Sequence, residues 1–269
     1  MMNIAGKTLL LTGATGGIGR AIAHSLAAAG ATLILVGRDM AQLQRLRQQL
    51  TGSHLLCAAD LAKPEDLQRL VGFCQDLAQN LTPGQGPLDG VINNAGVSQF
   101  ALTAQQDYPH QIELNLLVPM QLCQMLLPQL QQRPEAVIVN VGSAFGSIGY
   151  PGFSGYCASK FGLRGFTEAL KRELAASQVR VLYFAPRATD TSINSAAVVE
   201  MNQQLGTRMD SPDFVAAQLL AQLKSSQSRR FLGWPEQLFV RLNALFPAIV
   251  DKALRGKLAL ITKFASQQP

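Results

Sequence analysis

Tyr156 and Lys160 stand four residues apart in the stretch Ser154-Gly155-Tyr156-Cys157-Ala158-Ser159-Lys160. Four residues is about one helical turn, so on a helix both side chains share one face. A lysine ammonium beside a phenol favours the phenolate. This predicts a tyrosine pKa drawn from its free value of about 10 toward neutrality. A tyrosine tuned in that way exchanges a proton with an alcohol or a ketone near neutral pH. The same pair on an ordinary amphipathic helix has no chemistry, so its meaning rests on the elements that position it.

The first such element is at the amino terminus. Lys7 to Leu11 is a short apolar run of strand length, followed by Thr12-Gly13-Ala14-Thr15-Gly16-Gly17-Ile18-Gly19 and then a helical composition from Arg20 to Ala29 that ends at Gly30. Strand, glycine turn and helix in that order make a phosphate cradle: glycines let the backbone approach a pyrophosphate, which rests on the helix N-terminus. The spacing is T-G-x-x-x-G-x-G rather than G-x-G-x-x-G, with the same mechanics. Further apolar runs of strand length recur at Leu33–Val36, Leu55–Ala58, Gly90–Ile92, Ala136–Val141 and Val179–Phe184, separated by helical stretches such as Ala41–Leu50 and Pro64–Gln79. Continuous apolar strands alternating with helices predict an α/β fold with a doubly wound, mostly parallel sheet covered on both faces. The length, 269 residues, suits one domain. The Pro- and Gly-containing stretch Asn80 to Pro87 reads as a surface loop.

With these motifs in place the chain resembles the short-chain dehydrogenase/reductase family over roughly Lys7 to Thr191. Beyond the glycine turn, the resemblance is carried by Asp60-Leu61 ending the third strand, Asn93-Asn94-Ala95-Gly96 after the fourth, Asn115 on the next helix, and Ser143, thirteen residues before Tyr156. It implies a seven-stranded Rossmann fold. It also implies a catalytic set of Asn115, Ser143, Tyr156 and Lys160. The implied cofactor contacts are Thr12, Gly13, Gly17, Ile18, Gly19, Asp60, Leu61, Asn93, Ala95, Gly96, Pro186 and Thr191, together with Tyr156 and Lys160. The implied reaction is ketone or aldehyde to alcohol, reversibly. Tyr156 gives the proton, Ser143 polarises the carbonyl, Lys160 lowers the tyrosine pKa and holds the nicotinamide ribose, and Asn115 holds a relay water. Ser143 and Tyr156 would therefore touch the substrate. The alternative, a non-catalytic NADP(H)-sensing or scaffold protein on the same fold, is disfavoured by the intact Ser143, Tyr156 and Lys160.

The cofactor preference is read from the end of strand two, Leu35-Val36-Gly37-Arg38. An NAD site places an acid there for the ribose 2′-hydroxyl. Gly37 stands in that position and Arg38 follows, whose fork suits a 2′-phosphate, so NADP(H) is expected over NAD(H). After strand six the family's Pro-Gly becomes Pro186-Arg187. Arg187 could meet an anionic group on the substrate or cofactor, or turn to solvent.

The remaining expectations concern surroundings. The expected organisation is a single Rossmann-fold domain over 1–269, with a substrate lid over 191–209 and a basic amphipathic helical extension over 235–269. The formal net charge of +6 lies entirely beyond residue 223, where eight Lys or Arg meet two Asp or Glu. Leu238, Leu242, Leu245 and Phe246 form one apolar stripe there. Val250, Leu254, Leu258 and Ile261 form another, flanked by Lys252, Arg255, Lys257 and Lys263. Such stripes suit a cover over the substrate pocket or a partner subunit in a homo-oligomer, dimer or tetramer. They also have the make-up of a peripheral membrane contact, which ranks second. The apolar lid residues Ile193, Val198, Val199 and Met201 point weakly to a hydrophobic small-molecule carbonyl or alcohol substrate. No nucleic-acid module accompanies the charge. The four cysteines, Cys57, Cys74, Cys123 and Cys157, show no metal spacing and fit a reducing compartment. Met1 to Ala5 is too short for a signal peptide, and no apolar run reaches membrane-spanning length, so a cytoplasmic location is expected.

Overall fold

The apolar runs become seven strands: β1 (Thr8–Leu11), β2 (Thr32–Gly37), β3 (Leu55–Ala58), β4 (Leu88–Asn93), β5 (Ala136–Val141), β6 (Val179–Ala185) and β7 (Arg229–Phe231). The structure is a computed structural model that describes residues 2–79, 86–234 and 236–267. All but Gly86 and Pro87 of the loop read at 80–87 fall outside those residues. The strands form one sheet in the order β3-β2-β1-β4-β5-β6-β7, every pair parallel. The order reverses between β1 and β4. In sheets of this kind a crevice opens there, beyond the carboxyl ends of the strands.

Strand parity divides the core. Leu9, Leu11, Leu33 and Leu35 face one side and pack on α1 (Gly17–Ala28), α2 (Met40–Gln49) and α8 (Pro212–Leu223). Leu10, Ile34 and Val36 face the other and pack on α3 (Pro64–Gln79), α5 (Val118–Gln131) and α6 (Ser154–Glu173). Period-two alternation with both faces covered is the reason these strands read as unbroken apolar runs. A short α4 (Tyr108–Ile112) runs through a π-helical turn at Glu113–Leu117 into α5.

The third strand stops at Ala58, so Asp60 and Leu61 belong to the turn after it. There Asp60 Oδ1 accepts from Ala62 N and Asp60 N donates to Asp66 Oδ2. β7 was hidden by its own composition, because Arg229 and Arg230 break the apolar pattern. An edge strand carries such charges without burying them. Arg229 pairs with Glu168, and Arg230 donates to Gln218 O.

After β6 the chain forms α7 (Ala196–Gln204). Beyond β7 follow α9 (Glu236–Leu245), α10 (Pro247–Arg255) and α11 (Leu258–Ala265). Val198 and Met201 of α7 join Ile261 and Phe264 of α11 and the aromatic pair Phe100 and Phe153 in one cluster. Val240 of α9 and Val250 of α10 close on Ile148 in another. The four cysteines are free and buried, and among the described residues no group of His, Cys, Asp or Glu is placed to hold a metal ion.

Candidate active site

The glycine turn lies between β1 and α1, as its mechanics require. Gly13 has φ +63°, and a Cβ there would come within 2.8 Å of Ala95 Cα. A side chain would thus be strained by its backbone and blocked by its neighbour. Gly16 caps α1 without a side-chain hydrogen bond, and the first turn of α1 holds no acid. The amide groups at this helix start, with their positive dipole end, remain available for an anion. Thr12 Oγ1 accepts from the backbone N–H of Asn94 and of Ala95, each at 2.9 Å, and Asn94 Nδ2 donates to the carbonyls of Thr12 and Gly13. The turns after β1 and β4 are therefore locked together across the switch point.

A groove of about 490 Å³ runs over this junction. Its walls include Gly13, Thr15, Gly16, Gly17, Ile18, Gly19, Arg38, Asp60, Leu61, Asn94, Ala95, Gly96 and Thr191. Thr12 and Asn93, both read from the sequence as cofactor contacts, are absent from that wall. Thr12 is the buried stitch just described. Asn93 lies on β4, two residues after Val91, and so shares the face buried under α5 and α6. Its Nδ2 donates to Asn140 Oδ1 at 2.8 Å, and Asn140 Nδ2 continues to Thr167 Oγ1. Asn94, the next residue, faces the groove instead.

At the end of β2, Gly37 is pressed against Thr15, whose Oγ1 would lie 3.1 Å from an added Cβ. An acid at 37 would crowd the glycine turn. Arg38 is exposed and, among the described residues, makes no ion pair. Asp39 does not neutralise it. That carboxylate caps α2, accepting from Ala41 N and Gln42 N, and these backbone bonds hold its pKa below the usual range.

The groove continues into a cavity of about 310 Å³ shared by Ser143, Tyr156, Lys160, Pro186, Arg187 and Thr191. Its far wall is apolar and aromatic: Phe145, Ile148, Tyr150, Phe153, Val198, Met201, Phe239, Val250 and Leu254. Tyr156 and Lys160 lie on α6 as their spacing predicts. The expected low tyrosine pKa is not found in the protein alone. Burial pushes the phenol up to about 12, the Ser143 side chain pulling the other way. Lys160 is itself lowered to about 8 by burial. Its Nζ donates to Val141 O at 3.0 Å and lies 5.7 Å from the tyrosine ring centre. Desolvation therefore sets the direction of the tyrosine shift.

Ser143 N-caps the short 3-10 turn Ala144–Gly146, its Oγ accepting from Phe145 N at 3.1 Å. A hydroxyl that accepts there keeps its own proton to donate elsewhere. Asn115 is fully buried in the π-helical turn, a feature common at functional sites. Its Oδ1 accepts from Val97 N and its Nδ2 donates to Val97 O and Ser159 Oγ. Both amide protons are thus used inside the protein, so the side chain ties the turn after β4 to α6 beside Lys160. Pro186 reaches the cavity wall. Thr191 Oγ1 is buried there without a hydrogen-bond partner among the described residues. Arg187 is not a free cation in this wall. Its guanidinium makes two bonds to Asp210, at 2.8 and 2.9 Å, and two longer ones to Glu236.

The comparisons with known proteins agree with this arrangement. The family described as short chain dehydrogenase matches residues 7–202. The chain belongs to the short-chain dehydrogenase family. A 3-oxoacyl-[acyl-carrier-protein] reductase of Bos taurus is 33% identical over 202 residues, 74% of this chain and 81% of that protein. Among solved structures, a short-chain dehydrogenase from Streptomyces avermitilis superposes with a TM-score of 0.77 at 26% identity, covering 93% of this chain and 98% of that one. A metagenomic short-chain oxidoreductase in complex with NADP gives 0.70 at 25% identity, covering 86% and 98%. In this short-chain dehydrogenase the residues missed from sequence are Thr15, Gly16, Asn94 and Ser98 in the groove and Phe145 and Tyr150 in the cavity. Asn94 was legible in principle, because strand parity turns Asn93 inward and its neighbour outward. The family match ends at residue 202, so α8, β7 and α9–α11 lie beyond it.

Proposed function

We propose that the chain is an NADP(H)-dependent oxidoreductase that reduces a ketone or aldehyde to an alcohol, reversibly. The observation that carries this reading is the convergence of Ser143, Tyr156 and Lys160 at one point, where a groove built for a dinucleotide meets an apolar cavity. The residues present fit such a cofactor: the amide-rich start of α1 for the pyrophosphate, Arg38 for a 2′-phosphate, and the unpartnered Thr191 Oγ1 for the carboxamide. When bound, the cofactor supplies a hydride to the carbonyl carbon. Ser143 donates its hydroxyl proton in a hydrogen bond to the substrate oxygen and fixes its place. Tyr156, protonated at neutral pH by virtue of its burial, gives that oxygen its proton. Lys160 holds the ribose and stabilises the phenolate that results.

The aromatic and aliphatic cavity wall supports a hydrophobic substrate. In this reading the segment 191–209, with Val198 and Met201 turned to the cavity, acts as the lid. The extension 235–269 covers the cavity through Phe239, Val250 and Leu254. The test is a panel of soluble and lipophilic ketones and aldehydes with NADPH consumption followed by absorbance. Turnover of none of them would overturn the reading.

Arg38 gives the cofactor reading a sharper test. Arg38→Ala removes a charge-assisted bond worth about 1.5–3 kcal/mol, so NADPH binding should weaken by roughly 10- to 150-fold. NADH, lacking the phosphate, should bind nearly as before. Equal losses for both cofactors, measured by fluorescence titration, would place the preference elsewhere.

A further inference from the structure

The carboxyl-terminal helices bury one apolar face and leave another in solvent. Inward, Val240, Val250, Ile261 and Phe264 close on the cavity and its aromatic cluster. Outward, the turn between α9 and α10 exposes six consecutive uncharged residues, Ala244 to Ile249. Leu245 is 71% exposed, Phe246 57% and Ile249 54%, and Trp234 at the start of the segment is 74% exposed. Single exposed leucines are ordinary, but a contiguous run of this size is not. The tip is ordered by its own backbone, Phe246 N donating to Leu242 O at 2.7 Å and Ile249 N to Phe246 O at 3.1 Å.

Cations surround this tip. Arg241 lies one turn before it on α9, and Lys252 and Arg255 one and two turns after it on α10, all exposed. Lys257 follows at the cavity rim. Of the two acids in this segment, Glu236 is paired inward with Arg187 and Asp251 alone is exposed. The apolar surface is also continuous with the site. Phe239 is 39% exposed and lines the cavity, together with Ala253, Leu254 and Lys257. No described helix is long and apolar enough to cross a membrane, so such a surface could only lie on one.

We propose that the α9–α10 tip docks on an anionic lipid surface, with Leu245, Phe246 and Ile249 in the acyl boundary and Arg241, Lys252 and Arg255 against the headgroups. Docking there turns the cavity mouth at Phe239 toward the bilayer, from which a lipophilic carbonyl compound can enter. The substrate clause rests on the proposed reductase activity; the docking itself does not.

The test uses the full chain and co-sedimentation with phosphatidylcholine vesicles, with and without phosphatidylglycerol. Binding should rise with the anionic lipid and fall several-fold when salt shortens the screening length to about 3 Å near 1 M. Phe246→Glu with Ile249→Glu should abolish it. Lys252→Glu with Arg255→Glu should lower it by roughly tenfold or more on anionic vesicles. All these residues are exposed, so NADPH affinity and turnover of a soluble ketone serve as controls that the variants fold. Absence of sedimentation with anionic vesicles overturns the proposal, as does sedimentation that the Phe246/Ile249 variant retains. A concentration-dependent dimer that this variant dissolves, without vesicle binding by the parent chain, would assign the tip to a second copy instead. Loss of the reductase activity with vesicle binding intact would sink the function and leave the docking standing.

Discussion

Tyr156→Phe should lower turnover by about 10²–10⁴-fold, the usual contribution of a positioned acid–base group. The ring packs against Phe153 and Phe145 at centroid distances of 6.4 Å each, so phenylalanine keeps the aromatic wall and removes only the hydroxyl. Cofactor affinity, set by the groove around Gly13 to Gly19 and Arg38, should stay within a factor of a few. The direction of the pKa shift adds a pH dependence. A phenol pushed up to about 12 is protonated throughout the neutral range, which suits carbonyl reduction. Alcohol oxidation needs the phenolate, so its rate should climb as pH rises above neutrality while reduction does not. Lys160, lowered to about 8, loses its charge over part of the same range, and its loss should blunt the climb. A Tyr156→Phe variant that retains most of its turnover would remove the tyrosine from the chemistry.

The features legible in the sequence are those fixed by local spacing. The four-residue interval between Tyr156 and Lys160 needs only a helix to bring both to one face, and the glycine turn needs only a strand before it and a helix after. Unbroken apolar runs announced a sheet buried on both sides. What the sequence concealed depends on distant partners or on the balance of opposing terms. Nothing near Asn93 says that Asn140 and Thr167 wait for it across β5 and α6. Nor does anything near Asn115 say that its side-chain amide is taken by Val97 and Ser159, both remote in the chain. The lowered tyrosine pKa followed from the ammonium alone. The depth of burial, which reverses the sign, is a property of the whole fold. β7 escaped because its arginines obey the rules of an edge rather than those of a core strand.

Arg187→Ala should destabilise the fold rather than alter substrate choice. The arginine and its principal partner Asp210 are 10% and 7% exposed, and the two parallel bonds between them make the fork-to-carboxylate match that lysine cannot reproduce. Asp210 also sits in the backbone link between the segment after β6 and the start of α8, accepting from Asp190 N and donating to Ala188 O. Deleting the guanidinium leaves this carboxylate buried without its cation. Breaking one side of such a pair costs about 3–5 kcal/mol. At about 2–4 °C per kcal/mol for a chain of this size, the melting temperature should fall by roughly 6–20 °C. Glu236, partly exposed and held by longer bonds, contributes less, and its release should loosen the start of α9 over the cavity. Arg187→Lys should recover only part of the loss. Arg187→Ala combined with Asp210→Ala should be less destabilised than the sum of the two single changes, because the second substitution removes the stranded charge. An unchanged melting temperature with a selective loss of kcat/KM for anionic substrates would instead make Arg187 a substrate contact, free of the clamp described here.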